Sequence, residues 1–383
     1  MKKPLEIVHV ITSLSNGGAQ GALIRLVLND NQNHHQVISL MDMGHHGRSL
    51  SHAGIPLHTL EFPQGGITVD GLKKLFRLIF HIKPDIVQTW LYHADLLGGA
   101  IARLSGCRNV VWGLRNSTIH NHKTSVATRF VLHLNALLSG IIPVGIVSCS
   151  QEAIRVHMSI GYRRKNMTVI PNGFDIGQFM PDLAARSRVR DLWGIDDRTI
   201  LFGMVARWDP QKDHESLLSA LSMIQGDCGL AWRCALVGQG MEESNRMLMA
   251  LLEENGVRDR IILSGQRDNI AELMNGFDIH VLSSSYGEAF PNAVAEAMAC
   301  GTPCITTDVG DSSLIVGQSG WVVPPSNSVA LCIAMEQAMN ELNDKESWDQ
   351  RKAACRMQVV QCYRLETMVE NYRNLWTSFT NGS

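Results

Sequence analysis

One strand–loop–helix segment in the C-terminal half of the chain restricts the fold more than any other stretch. Residues 278–282 form a short apolar run that predicts a buried strand, and residues 283–287 are turn formers. The alanine-rich run at residues 293–299 predicts a helix, which we expect Pro291 to begin and Gly301 to end. A strand, a polar loop and a helix that leads to another strand are typical of a parallel α/β sheet.

Two carboxylates flank the start of this predicted helix. Glu288 lies in the loop, and Glu296 lies about one turn inside the helix. Free N–H groups at a helix N-terminus favour a phosphate, whereas carboxylates repel phosphate and accept hydrogen bonds from hydroxyl groups. Hydroxyl groups on both sides of a phosphate describe a nucleotide sugar. The alternative is that Glu288 caps the helix and Glu296 is a solvated surface residue.

Composition limits the class of protein. The 383 residues are enough for two domains, and the formal net charge of −2 gives no indication of a nucleic-acid partner. No run approaches the length of a membrane span, and the chain starts with a strand pattern instead of a signal peptide, so we expect a cytoplasmic protein. Nine scattered cysteines without metal-binding spacing predict reduced, mostly buried thiols.

The N-terminal half begins with an apolar strand, a glycine-containing loop and a helix, which is the opening unit of a Rossmann-like domain. Gly17 and Gly18 would let the backbone approach a ligand closely, and the alternative is a plain tight turn. The spacing matches neither the dinucleotide-binding fingerprint nor a P-loop, so both of those functions lose support. A basic amphipathic helix at residues 71–83 either covers a sheet with its lysines in water or contacts an anionic membrane surface.

Polar side chains follow several predicted strands. His93 and Asp95 come directly after a strand that begins at residue 85, and ligands of open α/β sheets bind at the carboxyl ends of strands. We therefore expect both side chains to face a cleft, and the alternative for a lone histidine is a structural role. Arg207 and Lys212 follow the strand at residues 199–206 and predict two cations at the edge of a cleft.

The segment around Glu288 resembles the Glu-x7-Glu signature of retaining glycosyltransferases of family 4, the group 1 glycosyl transferases. The matching residues are Glu288, Phe290, Pro291, Asn292 and Glu296, followed by Ala-Met-Ala-Cys-Gly-Thr-Pro. The resemblance implies an α/β protein of the GT-B fold, with two Rossmann-like domains that face each other across a cleft. It places an acceptor domain at residues 1–175, a linker at 176–197, a nucleotide-sugar donor domain at 198–362, and a C-terminal helix at 363–380 that returns to the first domain.

The resemblance also implies a role for each matched residue. Glu296 would accept hydrogen bonds from ribose and Glu288 from the transferred sugar, while Arg115 stands where many members carry a histidine that faces that sugar. His93 would orient the sugar and exchange a proton. The implied nucleotide and diphosphate contacts are Gly17, Gly18, Arg207, Lys212, Gly240, Gln266, Phe290, Pro291 and Asn292.

The activity implied is hexosyl transfer, with retention of configuration, from a nucleotide-diphosphate sugar to a hydroxyl acceptor. A UDP-sugar is favoured as the donor, and a lipid-linked or polysaccharide glycan of the bacterial cell surface, such as lipopolysaccharide, as the acceptor. No Asp-x-Asp motif occurs in the sequence, so we expect no divalent metal cofactor. The alternatives are a nucleotide-sugar epimerase of the same fold and a non-catalytic subunit that binds nucleotide sugars.

Overall fold

A computed structural model describes residues 3–117, 125–224 and 231–380. The chain divides into two compact units, of which the first comprises residues 1–173 and 365–383 and the second comprises residues 174–364. The polar segment at residues 176–197, which the resemblance assigns to a linker, lies within the second unit. Its buried Arg190 donates a hydrogen bond of 3.0 Å to Asp278, so this segment forms part of the domain structure.

The first unit is built on a parallel sheet, as its alternation of apolar strands and helices predicts. In the described part of this unit the sheet has seven strands in the order β3-β2-β1-β4-β5-β6-β7. Its central strands are buried along almost their whole length, which is typical of a sheet covered on both faces. The strands are β1 (Glu6–Ile11), β2 (His34–Ser39), β3 (Leu57–Thr59), β4 (Ile86–Trp90), β5 (Val110–Leu114), β6 (Gly145–Ser148) and β7 (Met167–Val169).

Six helices connect these strands within the described residues. They are α1 (Gly18–Asn29), α2 (Gly47–His52), α3 (Val69–Ile82), α4 (Tyr92–Leu104), α5 (Val126–Leu138) and α6 (Gln151–Ser159). The basic helix α3 is capped by Thr68, whose hydroxyl accepts a hydrogen bond from the Gly71 N–H at 3.2 Å. It buries Leu75 and Ile79 and leaves its basic side chains outside, as its sequence pattern predicts.

The second unit repeats the architecture around a smaller parallel sheet. Among the described residues of this unit the sheet has six strands in the order β10-β9-β8-β11-β12-β13. They are β8 (Ile200–Val205), β9 (Trp232–Val237), β10 (Ile261–Leu263), β11 (Ile279–Leu282), β12 (Cys304–Thr307) and β13 (Trp321–Val323). The helices are α7 (Leu183–Leu192), α8 (His214–Met223), α9 (Arg246–Glu254), α10 (Ile270–Gly276), α11 (Asn292–Ala299), α12 (Ser312–Val316), α13 (Ser328–Glu341) and α14 (Lys345–Cys362).

The C-terminal helix α15 (Leu365–Thr380) belongs to the first unit, although it follows the second unit in the chain. Its Tyr372 and Trp376 are fully buried, and the Trp376 indole donates a 3.2 Å hydrogen bond to Gln88 in β4. Arg373 donates to the buried Asp30 carboxylate at 2.7 Å. Apolar burial and a buried ion pair together fix the helix against this sheet.

Two findings concern the predictions about membranes and cysteines. No helix in the described ranges is both long and apolar enough to cross a bilayer. The described cysteines are free thiols, and all of them are buried except Cys362. Burial raises the pKa of Cys234 to about 12, which keeps that thiol protonated and unreactive.

Candidate active site

The candidate site in the second unit lies where the strand order of its sheet reverses. Strand β8 lies between β9 and β11, so the chain proceeds from β8 first toward one edge and then toward the other. Ligands of open α/β sheets bind at the carboxyl ends of the strands at such a switch point. The loops that follow β8 and β11 meet there, since the Ser285 N–H donates to the Gln211 carbonyl at 2.9 Å and the Ser283 hydroxyl to the Lys212 carbonyl at 2.9 Å.

Glu288 and Lys212 form an ion pair at this point. The Lys212 ammonium donates to the Glu288 Oε1 atom, and the Ser284 hydroxyl donates to the same oxygen at 2.7 Å. The side chains of Lys212 and Glu288 are only 14% and 8% exposed. The structure therefore brings together two residues that the sequence predicts as donor contacts, and it adds Ser284, which the sequence analysis did not single out.

Gly310 holds the loop that carries Glu288. Its φ of +65° favours glycine, and a Cβ atom there would lie 2.2 Å from the Glu288 carbonyl oxygen. The neighbouring Asp311 N–H donates to the Ala289 carbonyl at 3.0 Å. Gly310 therefore positions the candidate site through the backbone, and its place after strand β12 was the only signal in the sequence.

The helix that follows Glu288 begins one residue later than predicted. Pro291 has φ −73° and ψ 96° and precedes the helix, whose first residue is Asn292. The Pro291 ring therefore lies outside the first turn of the helix, whereas the sequence analysis placed it inside that turn. No side chain of the described residues caps this helix N-terminus by a hydrogen bond. The positive end of the helix dipole lies at this terminus, four residues after Glu288, and favours an anion there.

The other side chains around this helix take different directions. Phe290 is buried and stacks on Phe174 at a centroid distance of 6.1 Å, so only its backbone is available to a ligand. Glu296 is half-buried on the first turns of the helix. Burial, and then the Glu296 carboxylate, raise the pKa of Cys300 to about 12.

Arg207 lies at the carboxyl end of β8, as predicted, but it has a partner. Its guanidinium donates to Asp209 at 3.0 Å, and its side chain is 51% exposed. Asp209 also accepts from the Gln211 N–H at 2.9 Å. The pair is at the surface, where it is weak, so an incoming phosphate can compete for Arg207.

The loops after β9 and β10 are fixed by close backbone packing. The Gly238 N–H donates to the Gly265 carbonyl at 2.7 Å, and a Cβ atom on Gly240 would lie 2.5 Å from the Trp208 side chain. A cavity of about 300 Å³ opens here, beside Gly265 and the exposed Gln266. Its lining consists of Met241, Glu242, Glu243, Arg258, Leu263, Ser264 and Gly265. Its volume lies at the lower end of the range for small-molecule sites.

The first unit has a comparable switch point between β1 and β4. Gly17 and Gly18 follow β1, and His93 follows β4, so the topology brings all three to the same edge of this sheet. Burial lowers the pKa of His93, which favours its neutral form. Leu91 at this junction has φ +75° and ψ 154°, a backbone conformation that side chains other than glycine rarely adopt.

The expectation that Asp95 faces a cleft is wrong. The residue is fully buried and accepts hydrogen bonds from the Thr89 hydroxyl at 2.5 Å and the Gly113 N–H at 3.2 Å. Burial raises the pKa of Asp95 to about 7 in spite of these bonds. Asp95 is buried in the core and His93 is only half-buried, because helix positions two apart face different directions.

Arg115 is engaged inside the first unit. Its guanidinium donates to Asn172 at 2.8 Å and to the Tyr372 hydroxyl of α15, and it lies 4.3 Å above the centroid of the Trp90 ring. These contacts tie the end of β5 to the C-terminal helix. In this structure Arg115 is a packing residue, and the catalytic role suggested by its position stays a prediction.

Two family models match the chain. The model described as Glycosyltransferase Family 4 matches residues 17–178, and the model described as Glycosyl transferases group 1 matches residues 199–341. The second match contains the whole of the Lys212–Glu288 site. The chain is a family 4 glycosyltransferase. The glycosyltransferase uses a nucleotide sugar, as its matched domains and its relatives indicate.

Known relatives cover the glycosyltransferase to different extents. It is 23% identical over 308 residues to the Escherichia coli UDP-Gal:alpha-D-GlcNAc-diphosphoundecaprenol alpha-1,3-galactosyltransferase. This aligned segment covers 80% of this chain and 78% of that protein. It is 31% identical over 143 residues to the N-acetyl-alpha-D-glucosaminyl L-malate synthase of Bacillus anthracis. This aligned segment covers 37% of this chain and 36% of that protein. The chain thus matches most of the first relative and about a third of the second.

Solved structures share the fold over nearly the whole chain. Anabaena Alr3699/HepE in complex with UDP superposes with a TM-score of 0.85 at 20% identity, covering 98% of this chain and all of that one. A glycosyltransferase from Rickettsia africae ESF-5 gives the same TM-score at 17% identity, covering 100% of both chains. The α/β fold class with two Rossmann-like domains of the GT-B type is therefore confirmed.

Proposed function

We propose that this glycosyltransferase transfers a hexose from a UDP-sugar to a hydroxyl group of a lipid-linked or polysaccharide glycan, with retention of configuration and without a divalent metal. The observation that carries the proposal is the buried Lys212–Glu288 pair beside an uncapped helix N-terminus at the switch point of the second sheet. A cation, a helix N-terminus and hydroxyl-binding carboxylates at one place suit a nucleotide-diphosphate sugar.

The leaving group sets the chemical requirement. Departure of a diphosphate leaves negative charge that must be stabilised as it develops. Lys212 and the N–H groups at the start of α11 would supply that stabilisation, with Arg207 as a further cation. Glu296 would bind the ribose hydroxyls, and Glu288 would bind the transferred sugar. His93, in its neutral form, would orient that sugar by the family resemblance.

The cavity beside Gly265 supports the choice of a nucleotide donor, because it lies on the same strand edge and has the size of a small-molecule site. UDP is the nucleotide we propose. Its support comes from the E. coli relative, named for UDP-Gal, and from the Anabaena protein, whose structures hold UDP and UDP-glucose.

The acceptor and the cellular setting are proposed on similar grounds. The E. coli relative is named for a diphosphoundecaprenol-linked acceptor, which is a lipid carrier. We extend this to a role in synthesis of bacterial surface polysaccharide or lipopolysaccharide on the cytoplasmic side of the membrane. The basic helix α3 would give the enzyme a peripheral contact with that membrane.

A donor panel tests the proposal. Binding of the UDP, GDP and ADP forms of common hexoses is measured by calorimetry in EDTA for the native chain, Glu296→Ala and the control Glu253→Ala. Glu253 is exposed at the end of α9, so its loss matches the charge change away from the switch point. We expect a UDP-sugar to bind, with roughly tenfold or greater weakening by Glu296→Ala, since a hydrogen bond to a charged group contributes about 1.5–3 kcal/mol.

Product analysis then separates the reaction classes. Proton NMR of the product formed with a lipid-linked acceptor gives the anomeric configuration, and retention is expected. Donor binding that needs a divalent metal, or that is unchanged in Glu296→Ala, would contradict the proposal. Conversion of the donor sugar without any acceptor would indicate an epimerase, and binding without turnover a non-catalytic subunit.

A further inference from the structure

A second cavity lies in the first unit, and Gly17, Gly18 and His93 are not among its lining residues. It has a volume of about 410 Å³ and lies between α3, the edge strand β3 and the neighbouring strand β2. Its lining consists of five nitrogen-bearing side chains and two apolar ones, namely Gln36, His58, Lys74, Arg77, His81, Leu78 and Ile82. No carboxylate is among its lining residues in the described part of the chain.

Hydrogen bonds position the polar side chains that line this cavity, which we call the α3 cavity. The Lys74 ammonium donates to the Thr59 carbonyl at 2.7 Å, at the end of β3. His58 lies within 3.4 Å of the Gln36 side chain, and Gln36 in turn donates to Glu6 at 2.9 Å. Lys74 and Arg77 carry the positive charge of this cavity, because burial, and then the Lys74 charge, lower the pKa of His58. Two cations that line one cavity without a lining carboxylate form a site for an anion.

Exposed aromatic side chains lie on the same helix. Phe76 and Phe80 are 39% and 51% exposed, and their rings stack with centroids 5.9 Å apart and planes 10° apart. Lys73 and Arg77 precede them by three residues each and therefore lie beside them on the helix surface. Arg77 belongs both to this outward face and to the α3 cavity.

Basic residues around an exposed aromatic pair are typical of a helix that lies in a membrane interface. The aromatic rings would enter the boundary of the acyl chains, and the lysine and arginine side chains would meet anionic headgroups. An anion in the α3 cavity would then be held at the level of the headgroups. Charge complementarity favours an anionic partner, and the exposed Phe76–Phe80 pair favours an anionic lipid surface over an acidic protein.

We propose that the α3 cavity binds the phosphate of an anionic phospholipid headgroup while Phe76 and Phe80 insert into the same membrane surface. The proposal extends the membrane contact suggested under the proposed function by giving it a specific headgroup site. It does not depend on donor binding, which belongs to the second unit. An intact donor site with no lipid binding would therefore refute this inference alone.

Vesicle sedimentation of the full chain tests the site. The vesicles are phosphatidylcholine alone or phosphatidylcholine mixed with phosphatidylglycerol, and the variants are Lys74→Gln/Arg77→Gln and Phe76→Ser/Phe80→Ser. The control is Arg164→Gln/Lys165→Gln, which removes two exposed charges in the loop before β7, at the opposite edge of the same sheet. Circular dichroism and UDP-sugar binding verify that each variant is folded.

We expect the native chain to bind the anionic vesicles and the cavity variant to bind them roughly 30-fold more weakly, since each basic residue near an anionic surface contributes about 1 kcal/mol. The control should change binding by less than about threefold, because its charges lie away from the proposed surface. The phenylalanine variant should weaken binding through lost apolar insertion. Glycerol phosphate at millimolar concentration should compete with the vesicles for the native chain only.

Three results would overturn the proposal. The first is equal binding of the native chain to neutral and anionic vesicles. The second is an equal loss in the cavity variant and the control, which would indicate unspecific electrostatic attraction. The third is binding of glycerol phosphate or inorganic phosphate without any binding to vesicles, which would indicate a soluble phosphorylated ligand.

Discussion

At the scale of single residues, the buried charges of Lys212 and Glu288 determine the electrostatics of the candidate donor site. Burying an ion is costly, and the cost is offset only while its partner and its hydrogen bonds are present. Ser284 supplies one of those bonds to Glu288. The pair therefore keeps a cation in place before any diphosphate arrives, and it couples donor binding to local stability.

The first prediction concerns this ion pair. Lys212→Met should lower the free energy of unfolding of the second unit by about 3 kcal/mol, because it leaves the Glu288 carboxylate buried without its partner. The double variant Lys212→Met/Glu288→Gln should recover most of that loss. Urea unfolding measures both, with the exposed Lys345→Met as the control. A double variant no more stable than the single one would contradict the prediction.

A second prediction at this scale concerns Gly310. Gly310→Ala combines an unfavourable φ with a clash against the Glu288 backbone, whereas Gly256→Ala has nearly the same φ, +64°, and no atom within 4 Å of the added Cβ. Gly256→Ala should cost about 1–2 kcal/mol, and Gly310→Ala clearly more. Only Gly310→Ala should also weaken UDP-sugar binding, measured by calorimetry. Equal effects of the two variants would mean that the close contact with Glu288 has no role.

At the scale of elements, the junction between β4 and α4 carries backbone strain beside His93. Leu91 adopts a conformation that is essentially confined to glycine, at a cost of about 1–3 kcal/mol. Hydrogen bonds from the Leu91 N–H to Gly113 at 3.3 Å and from the Asp95 N–H to Leu91 at 2.9 Å hold it there. Strain of this kind is often found at ligand-binding sites, and His93, two residues after Leu91, is the side chain for which we predict such a role.

The third prediction is that glycine and alanine variants at position 91 have the reverse of their usual order of stability. Leu91→Gly should be more stable than Leu91→Ala, because glycine adopts the required φ without cost. At Leu97, inside α4, Gly should be less stable than Ala by about 1 kcal/mol, as usual in a helix. Thermal unfolding of the four variants gives both differences. The usual order at position 91 would show that the turn is not strained.

At the scale of the whole molecule, buried neutral histidines determine the response to acid. Burial lowers the pKa of His157 in the first unit to about 4. Burial, and then the Lys212 charge, lower the pKa of His214 to about 4 and that of His280 to about 3 in the second unit. In the first unit Asp95, with its raised pKa, acts in the opposite direction, because its folded form binds a proton that the unfolded chain releases.

The fourth prediction follows from these shifts. A histidine whose folded pKa is lowered contributes stability that is complete above its unfolded pKa of about 6.5 and is lost as the pH falls toward the folded value. The second unit should therefore lose up to about 1.4 kcal/mol per pH unit for each of its two such histidines between pH 6 and pH 4. Hydrogen exchange of peptides from residues 174–364 measures this loss, and His280→Gln should reduce the slope by about one proton. If the slope of the unfolding free energy against pH is unchanged in His280→Gln, the attribution of this acid sensitivity to His280 is contradicted.

The local patterns of the sequence were sufficient for the elements around the donor site. Apolar runs, turn formers and the alanine-rich segment correctly predicted strand β11, the following loop and helix α11, with an error of one residue at Pro291. These features depend on neighbours within a few residues, so they can be inferred without the fold. The Glu-x7-Glu spacing likewise led to the family, which the matched domains show.

Other features depend on residues that are distant in the chain, and only the tertiary structure decided them. Lys212 meets Glu288 across 76 positions, and Arg115 meets Tyr372 across 257 positions. The same holds for the direction of Phe290 into the core and for the convergence of Lys74 and His58 on one cavity. Sequence by itself determined the α/β class, the family and the residues of the donor motif, because these follow from local pattern and composition. Strand order and packing decided which of those side chains lie together at the strand ends, since parallel pairing joins segments that the sequence separates.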